Sequence, residues 1–283
     1  MERRHFETEK GRIVYWTNAF AADRPTLALL PGLTADHRLF DRQVAAFERA
    51  YNLLVWDAPG HGLSRPFALD FDLPDKARWL HGILRAEGAE RPVLVGQSMG
   101  GYVAQCFLQY FPGEAAGFVS IDSAPLKRRY VTAAEIWMLR RTEPMYRAFP
   151  WRLLQTLGTN GCADTGYGRG LMRAFLADYT RDEYCRLAGH GFRMLADAMA
   201  ADLPYRIDCP AVLICGVHDR AGSARRYNRR WAETEGLPIH WIAGAGHNSN
   251  TDRPDEVNAV IRAFVESPAP DGSFPSGAAK RRP

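Results

Sequence analysis

Short runs of apolar residues recur along the chain between turn-forming residues, and most are continuous rather than alternating. Six of them read TLALLPG, YNLLVWDAPG, RPVLVGQS, GFVSIDS, AVLICGVHD and IHWIAGAGH. Strands buried on both faces of a parallel sheet require continuous apolarity, so each run predicts one such strand. The N-terminal segment HFETEKGRIVYW instead alternates on either side of Lys10-Gly11, which predicts a β-hairpin.

Segments with helical spacing of apolar residues lie between these runs. They include DHRLFDRQVAAFER, DKARWLHGILRAEG, GYVAQCFLQYF and, near the end, PDEVNAVIRAFV. Strands and helices that alternate along a chain are typical of an α/β fold. The pattern therefore predicts a mostly parallel twisted sheet with helices on both faces.

One long segment interrupts the alternation. From Leu126 to Leu203 the chain has helical patterns, many aromatic residues and no convincing strand. We call residues 126–203 the lid, because a helical insertion here would cover the carboxyl ends of the strands, where such sheets bind ligands. The predicted core is then residues 1–125 and 204–266. Residues 267–283, rich in Pro, Gly and Ser, are predicted to be a disordered tail.

Candidate chemistry begins with a serine between two glycines. Gly96-Gln97-Ser98-Met99-Gly100 matches the pattern G-x-S-x-G, directly after one predicted strand and directly before a helical segment. In that context the glycines allow a sharp reversal that leaves the serine exposed at the helix N-terminus. Ser98 is therefore a candidate nucleophile, and the alternative is a structural turn serine.

A serine hydroxyl needs a base to take its proton and an acid to orient that base. His247 follows the last predicted strand, and Asp219 follows the strand before it. The order serine, aspartate, histidine is the one known for this motif, and all three residues fall at the same predicted edge of the sheet. Asp122, in VSIDSAP, also ends a strand and is a rival for the acid.

In these residues the chain resembles the α/β-hydrolase superfamily, over residues 10 to 266. LLPGLTADHRLF and WDAPGHGLS are similar to two further segments of that superfamily. The resemblance implies an α/β-hydrolase fold with Ser98 as nucleophile, His247 as base and Asp219 as acid. It also implies that the backbone N–H groups of Leu33 and Met99 form the oxyanion hole. The chain departs from many relatives at Pro31, where they have histidine.

Composition limits the possible partners. The formal net charge of +4, without a long basic run in the folded region, argues against nucleic-acid binding. No apolar stretch reaches the roughly 18 residues of a membrane span, and the charged N-terminus lacks a secretory apolar region, so a cytoplasmic protein is expected. The five cysteines are scattered without a CxxC pair, and no dinucleotide fingerprint is present. We therefore predict no metal and no cofactor, and make no prediction about oligomeric state.

The predicted function is that of a serine hydrolase that cleaves a carboxylic ester or a related acyl compound such as a thioester, lactone or amide. The alternatives are an acyltransferase, a carbon-carbon bond hydrolase, or a non-catalytic receptor for a small molecule. The lid also carries several basic residues, which fit either an anionic substrate or a solvated helix face: Lys127, Arg128, Arg129, Arg140 and Arg141.

Overall fold

The computed structural model of the protein describes residues 1–204 and 206–267. The strands are β1 Glu2–Thr8, β2 Gly11–Thr17, β3 Thr26–Leu30, β4 Asn52–Trp56, β5 Val93–Gln97, β6 Gly117–Ile121, β7 Ala211–Gly216 and β8 Ile239–Ile242. They form one sheet in the order β1-β2-β4-β3-β5-β6-β7-β8. Each of the six continuous apolar runs contains one of the strands β3 to β8, as predicted.

Pairing in this sheet is parallel from β4 across to β8. The predicted hairpin forms β1 and β2, which pair antiparallel with Thr8 opposite Gly11. Strand β2 also pairs antiparallel with β4. The prediction of a mostly parallel α/β sheet is therefore confirmed.

Helices flank the sheet and fill the connection between β6 and β7. They are α1 Asp41–Phe47, α2 Leu73–Ala86, α3 Met99–Tyr110, α4 Ala133–Arg140, α5 Thr142–Ala148, α6 Trp151–Cys162, α7 Gly166–Ala177, α8 Arg181–Ala201, α9 Ala224–Glu235, α10 Ser249–Asp252 and α11 Pro254–Glu266. Helices α4 to α8 all lie within the segment called the lid. The division into core and lid at residues 126 and 203 stays a prediction, and the predicted tail lies outside the described residues from 268 onward.

The strands are apolar throughout because they are buried on two sides. In β3, Leu27 and Leu29 belong to one hydrophobic cluster and Ala28 and Leu30 to the other. The first cluster includes residues of α1 and α11, and the second includes residues of α2, α3 and α9. Alternate side chains of a strand point to opposite faces, so a strand between two helical layers must be apolar at every position.

Within the described residues, no helix combines the length and apolarity that crossing a membrane requires.

Among the largest fully buried side chains of the described residues, Lys76 is the one that carries an ionisable group. Lys76 in α2 is 2% exposed, and its Nζ lies 5.6 Å from the ring centroid of Phe71. Among the described residues no hydrogen bond from this Nζ is found, and its titratable neighbours His61 and His190 carry no negative charge. Burial lowers the pKa of Lys76 to about 7.

We predict that Lys76→Met stabilises the fold near pH 6. The unfolded chain keeps the Lys76 proton up to its ordinary pKa of 10.5, whereas the folded chain releases it at about 7. The free energy of unfolding of the natural chain therefore rises with pH between about 7 and 10.5. Below about pH 7 the folded chain bears the full cost of burying the charged ammonium group. Methionine removes that penalty, so we expect a gain of roughly 3–5 kcal/mol near pH 6 that shrinks toward pH 10.

Urea denaturation at both pH values measures this difference. Lys10→Met is the matched control, because Lys10 is partly exposed, pairs with Asp70 at 2.9 Å and gives the same change of charge. A Lys76→Met variant no more stable than the natural chain near pH 6 would contradict the prediction.

Candidate active site

Ser98 occupies the reversal between β5 and α3. Gln97 is the last residue of β5, Met99 is the first residue of α3, and Ser98 between them has φ 49° and ψ −115°. A positive φ is rare for a residue with a side chain, and such positions are concentrated at functional sites. The strand-turn-helix context predicted around this serine is therefore present.

The flanking glycines are required by how closely the backbone approaches itself. A Cβ atom on Gly100 would lie 1.9 Å from the carbonyl oxygen of Leu30 at the end of β3. A Cβ atom on Gly96 would lie 2.5 Å from backbone atoms of Gly100 and Gly101. Any side chain at either position would push α3 away from the sheet and move Ser98 with it.

The structure brings the three residues of the predicted triad together. Ser98 Oγ lies 2.9 Å from His247 Nε2, and His247 Nδ1 lies 3.0 Å from Asp219 Oδ2. Because a carboxylate only accepts, Nδ1–H donates to Asp219 and leaves Nε2 free to accept from the serine hydroxyl. The arrangement can therefore pass the serine proton to the imidazole.

Electrostatics favour a basic imidazole at this position. Burial of His247 would by itself lower its pKa, because it disfavours the charged ring. The charge and hydrogen bond of Asp219, with a contribution from the charge of Asp122, outweigh that effect and raise the pKa of His247.

The rival acid, Asp122, faces backbone donors. Its Oδ1 accepts from the N–H of Gly216 at 2.7 Å, and its Oδ2 accepts from the N–H of Ser249 at 2.8 Å. Burial and the neighbouring Asp219 carboxylate raise the pKa of Asp122. This side chain therefore joins the end of β7 to the segment after His247, while Asp219 contacts the imidazole.

Both residues proposed for the oxyanion hole lie beside Ser98. Leu33 and Met99 line the same cavity as the serine, and Met99 begins α3, so its N–H has no acceptor within the helix. A Cβ atom on Gly32 would lie 3.2 Å from Ser98 Cβ, which places the loop after β3 against Ser98. The side chain of Leu33 packs closely on Gly191 of α8.

Gln97 holds the backbone next to His247 in place. The sequence alone did not indicate this role. Its Nε2 donates to the carbonyl oxygen of His247 at 2.8 Å and to Asn248 Oδ1 at 3.2 Å. The signal in the sequence is a polar residue at the last position of an otherwise apolar strand, next to the candidate nucleophile.

A second support, also not anticipated, links the histidine loop to the lid. The Asp252 carboxylate accepts from the N–H of Gly246 and from the N–H groups of Asp164 and Thr165, each at 2.9 Å. The same connection between α6 and α7 also contacts Asn248, the residue after His247. The N–H of Asn248 donates to the carbonyl oxygen of Cys162 at 2.8 Å.

Ser98 and His247 line a cavity of about 700 Å³ beneath the lid, within the size range of small-molecule sites.

Among the described residues, the basic side chains of the lid that could attract an anionic substrate do not line this cavity. They make other contacts: Lys127 and Arg129 pair with Glu235 at 3.1 and 2.6 Å, Arg140 pairs with Asp197 at 2.8 Å, Arg128 donates to the carbonyl of Val131, and Arg141 stacks on Trp137. The basic face of the lid is therefore not part of the cavity lining.

One group near the site combines atom types that bind metals. Ligand atoms of Asp122, Cys215 and Asp219 lie within 4.8 Å of one another. Asp122 already accepts two backbone N–H groups and Asp219 accepts from His247. Burial also raises the pKa of the Cys215 thiol, which disfavours the thiolate that a metal needs. We therefore assign no metal to this group.

Comparison with known proteins decides the family. Residues 27–260 match a family model described as the alpha/beta hydrolase family. The chain belongs to this family. The predicted α/β-hydrolase fold is thus confirmed, and the relatives described next support a hydrolase.

Two curated relatives align with most of the chain. One is 2-succinyl-6-hydroxy-2,4-cyclohexadiene-1-carboxylate synthase of Pectobacterium atrosepticum, 26% identical over 266 residues, which span 89% of this chain and 98% of that protein. The other is 3-oxoadipate enol-lactonase 2 of Acinetobacter baylyi, 22% identical over 261 residues, which span 87% and 90%. A solved hydrolase structure from Pseudomonas aeruginosa PA01 has the same fold, with a TM-score of 0.77 at 20% identity over 94% of this chain and 98% of the other.

We predict that Asp219→Asn and Asp122→Asn have different effects on the reactivity of Ser98. An amide at 219 no longer holds the required imidazole tautomer, so the reaction of Ser98 with a fluorophosphonate should slow by roughly 10⁴-fold. An amide at 122 loses one acceptor for a buried backbone N–H, so it should lower the free energy of unfolding by about 1–3 kcal/mol.

The rate of labelling followed by mass spectrometry, together with urea denaturation, measures both effects. Equal slowing in the two variants, at equal stability, would show that the acid is not Asp219 alone.

Proposed function

We propose that this hydrolase cleaves a carboxylic ester, or a related thioester, lactone or amide, through an acyl-enzyme intermediate on Ser98. The observation that supports this most directly is the unbroken chain of hydrogen bonds from Ser98 through His247 to Asp219, at 2.9 and 3.0 Å, inside a ligand-sized cavity. Similarity to an enol-lactonase supports an acyl substrate as well.

The first half of the proposed reaction forms the acyl-enzyme. Ser98 Oγ attacks the carbonyl carbon while His247 Nε2 takes the hydroxyl proton, and the carbonyl oxygen becomes an oxyanion. The N–H groups of Leu33 and Met99 are the proposed donors to this oxyanion. Loss of one such donor typically slows the reaction by 10²–10³-fold. The bond to the leaving group then breaks, and the protonated His247 gives its proton to the departing oxygen, sulfur or nitrogen.

The second half returns the enzyme to its starting state. Water takes the place of the leaving group, and His247 removes one of its protons as the oxygen attacks the acyl carbon. The bond between that carbon and Ser98 Oγ breaks, and the proton on His247 returns to the serine. Throughout the cycle, Asp219 stabilises the imidazolium without taking its proton.

A second candidate is a reaction that does not use water as acceptor. The similarity to a protein named as a synthase favours including it, together with acyl transfer on the same three residues. A carbon-carbon bond hydrolase stays a further alternative, in which water is the acceptor as it is in ester hydrolysis. Reaction in ¹⁸O-labelled water separates hydrolysis from acyl transfer, because hydrolysis of an ester places one labelled oxygen in the carboxylate product and acyl transfer places none. Carbon-carbon hydrolysis also labels the carboxylate, and it is recognised by the release of a carbon-bonded fragment in place of an alcohol, thiol or amine.

We predict that a fluorophosphonate probe modifies Ser98 stoichiometrically in the intact protein. Ser98→Ala should abolish the modification, and His247→Ala should slow it by roughly 10³-fold or more, because the base is lost. Mass spectrometry of the intact protein and of its peptides measures both. If a folded, monodisperse sample is not labelled, the proposal is wrong and a receptor for a small molecule becomes the leading function.

We also predict the position of the acid limb in the pH profile. His247 must be neutral to accept the serine proton, and its pKa is raised above the ordinary value of 6.5. The specificity constant kcat/KM should therefore fall as the pH drops through a value above 6.5. Asp219→Asn removes the main cause of the raised pKa, so the limb of that variant should move to lower pH. A limb below 6.5 in the natural chain would contradict this.

A further inference from the structure

The lid carries a concentration of exposed apolar side chains. Among the described residues, eleven large hydrophobic side chains are exposed, and six of these fall between residues 137 and 157: Trp137, Met138, Met145, Phe149, Leu153 and Leu157. Isolated apolar residues at a surface need no explanation, but a group of this kind marks a site that contacts apolar material.

Four of these six side chains also line the cavity that holds Ser98. They are Met138 of α4, Met145 of α5, Phe149 after α5 and Leu157 of α6. A side chain that is both exposed and part of the cavity lining lies at its mouth. The mouth is therefore apolar, and it is formed by three consecutive helices of the lid.

The lining stays apolar further inside. Six of the interior lining residues are Leu139, Tyr146, Leu154, Phe192, Leu195 and Met199, from α4, α5, α6 and α8. A hydrocarbon group that extends from a carbonyl at Ser98 toward the mouth would contact apolar side chains along this path. Burial of such a group is favourable in proportion to the apolar area removed from water.

The charged residues of the lining are few and most are already engaged. Asp122 accepts two backbone N–H groups, and His247 is held by Asp219. Glu135 accepts from the N–H of Thr132 at 2.8 Å and from Arg226 at 2.9 Å. Among the described lining residues, Arg220 alone supplies a lysine or arginine side chain. The lining is therefore better suited to a hydrocarbon than to a substrate with several carboxylates.

We infer that the substrate carries a long apolar chain, which runs from Ser98 between α4, α5 and α6 to the mouth formed by Met138, Met145, Phe149 and Leu157. This inference rests on the proposed acyl chemistry and adds the substrate class. Each methylene that enters the apolar lining should raise kcat/KM roughly fourfold until the chain reaches solvent.

The test uses p-nitrophenyl esters from acetate to dodecanoate, each below the concentration at which it forms micelles. The full chain should show a steep rise of kcat/KM with chain length. Leu157→Gln should lower the decanoate-to-acetate ratio of kcat/KM by roughly fivefold to tenfold, because an amide then lines the mouth. Met138→Gln, at a second exposed position of the mouth, should act in the same direction.

Leu153→Gln is the matched control. Leu153 lies on the same helix as Leu157, the two are 44% and 52% exposed, and only Leu157 lines the cavity. The control should leave the ratio of the natural chain unchanged. An equal change in both variants would overturn the inference and point to docking of the apolar surface on another molecule. A ratio near one in the natural chain would also overturn it.

The two proposals fail in different ways. If Ser98 is not labelled by the fluorophosphonate and no ester is hydrolysed, the acyl chemistry itself is wrong. If acetate and dodecanoate esters are hydrolysed with equal kcat/KM, the acyl chemistry stands and only the apolar substrate class is overturned.

Discussion

The parallel pairing of β3 to β8 is the constraint on which the candidate site depends. Parallel strands end at the same edge, so β5, β7 and β8 bring Ser98, Asp219 and His247 together although the serine and histidine are 149 residues apart in the chain. The geometry at this edge is then fixed by close backbone packing, above all where Gly100 meets the carbonyl of Leu30. The helices pack on both faces of the sheet and hold its strands in place. The positions of the strand ends then determine the distances among the three side chains.

Much of this could be predicted from the sequence because each feature has a local physical signature. Strands between two helical layers are apolar at every position, which made β3 to β8 recognisable without any contact information. The turn at Ser98 requires glycine at two positions for steric reasons, so it leaves a motif of fixed spacing. Loops at the ends of later strands then supplied the candidate base and acid.

The remainder depended on which neighbours come together in space. Asp122 and Asp219 both follow strands, and contacts made only in the fold distinguish them: Asp122 accepts from the N–H groups of Gly216 and Ser249, whereas Asp219 accepts from His247. Helix α9 was not predicted, because arginines surround the buried stripe of Ala224, Asn228 and Trp231 and hide its apolar spacing. Likewise the arginines of the lid could not be assigned from sequence, since long side chains reach partners that only the fold brings near.

The bond from the N–H of Asn248 to the carbonyl oxygen of Cys162 has a consequence for how a substrate enters. It joins the residue next to His247 to the junction of α6 and α7, and Asp252 joins the same junction to Gly246. If the α6–α7 junction had to move for the substrate to enter, the movement would displace His247 and interrupt its hydrogen bonds to Ser98 and Asp219. Entry through a permanent opening in another part of the lid avoids that conflict. The three side chains can then keep their hydrogen bonds while substrate enters and product leaves.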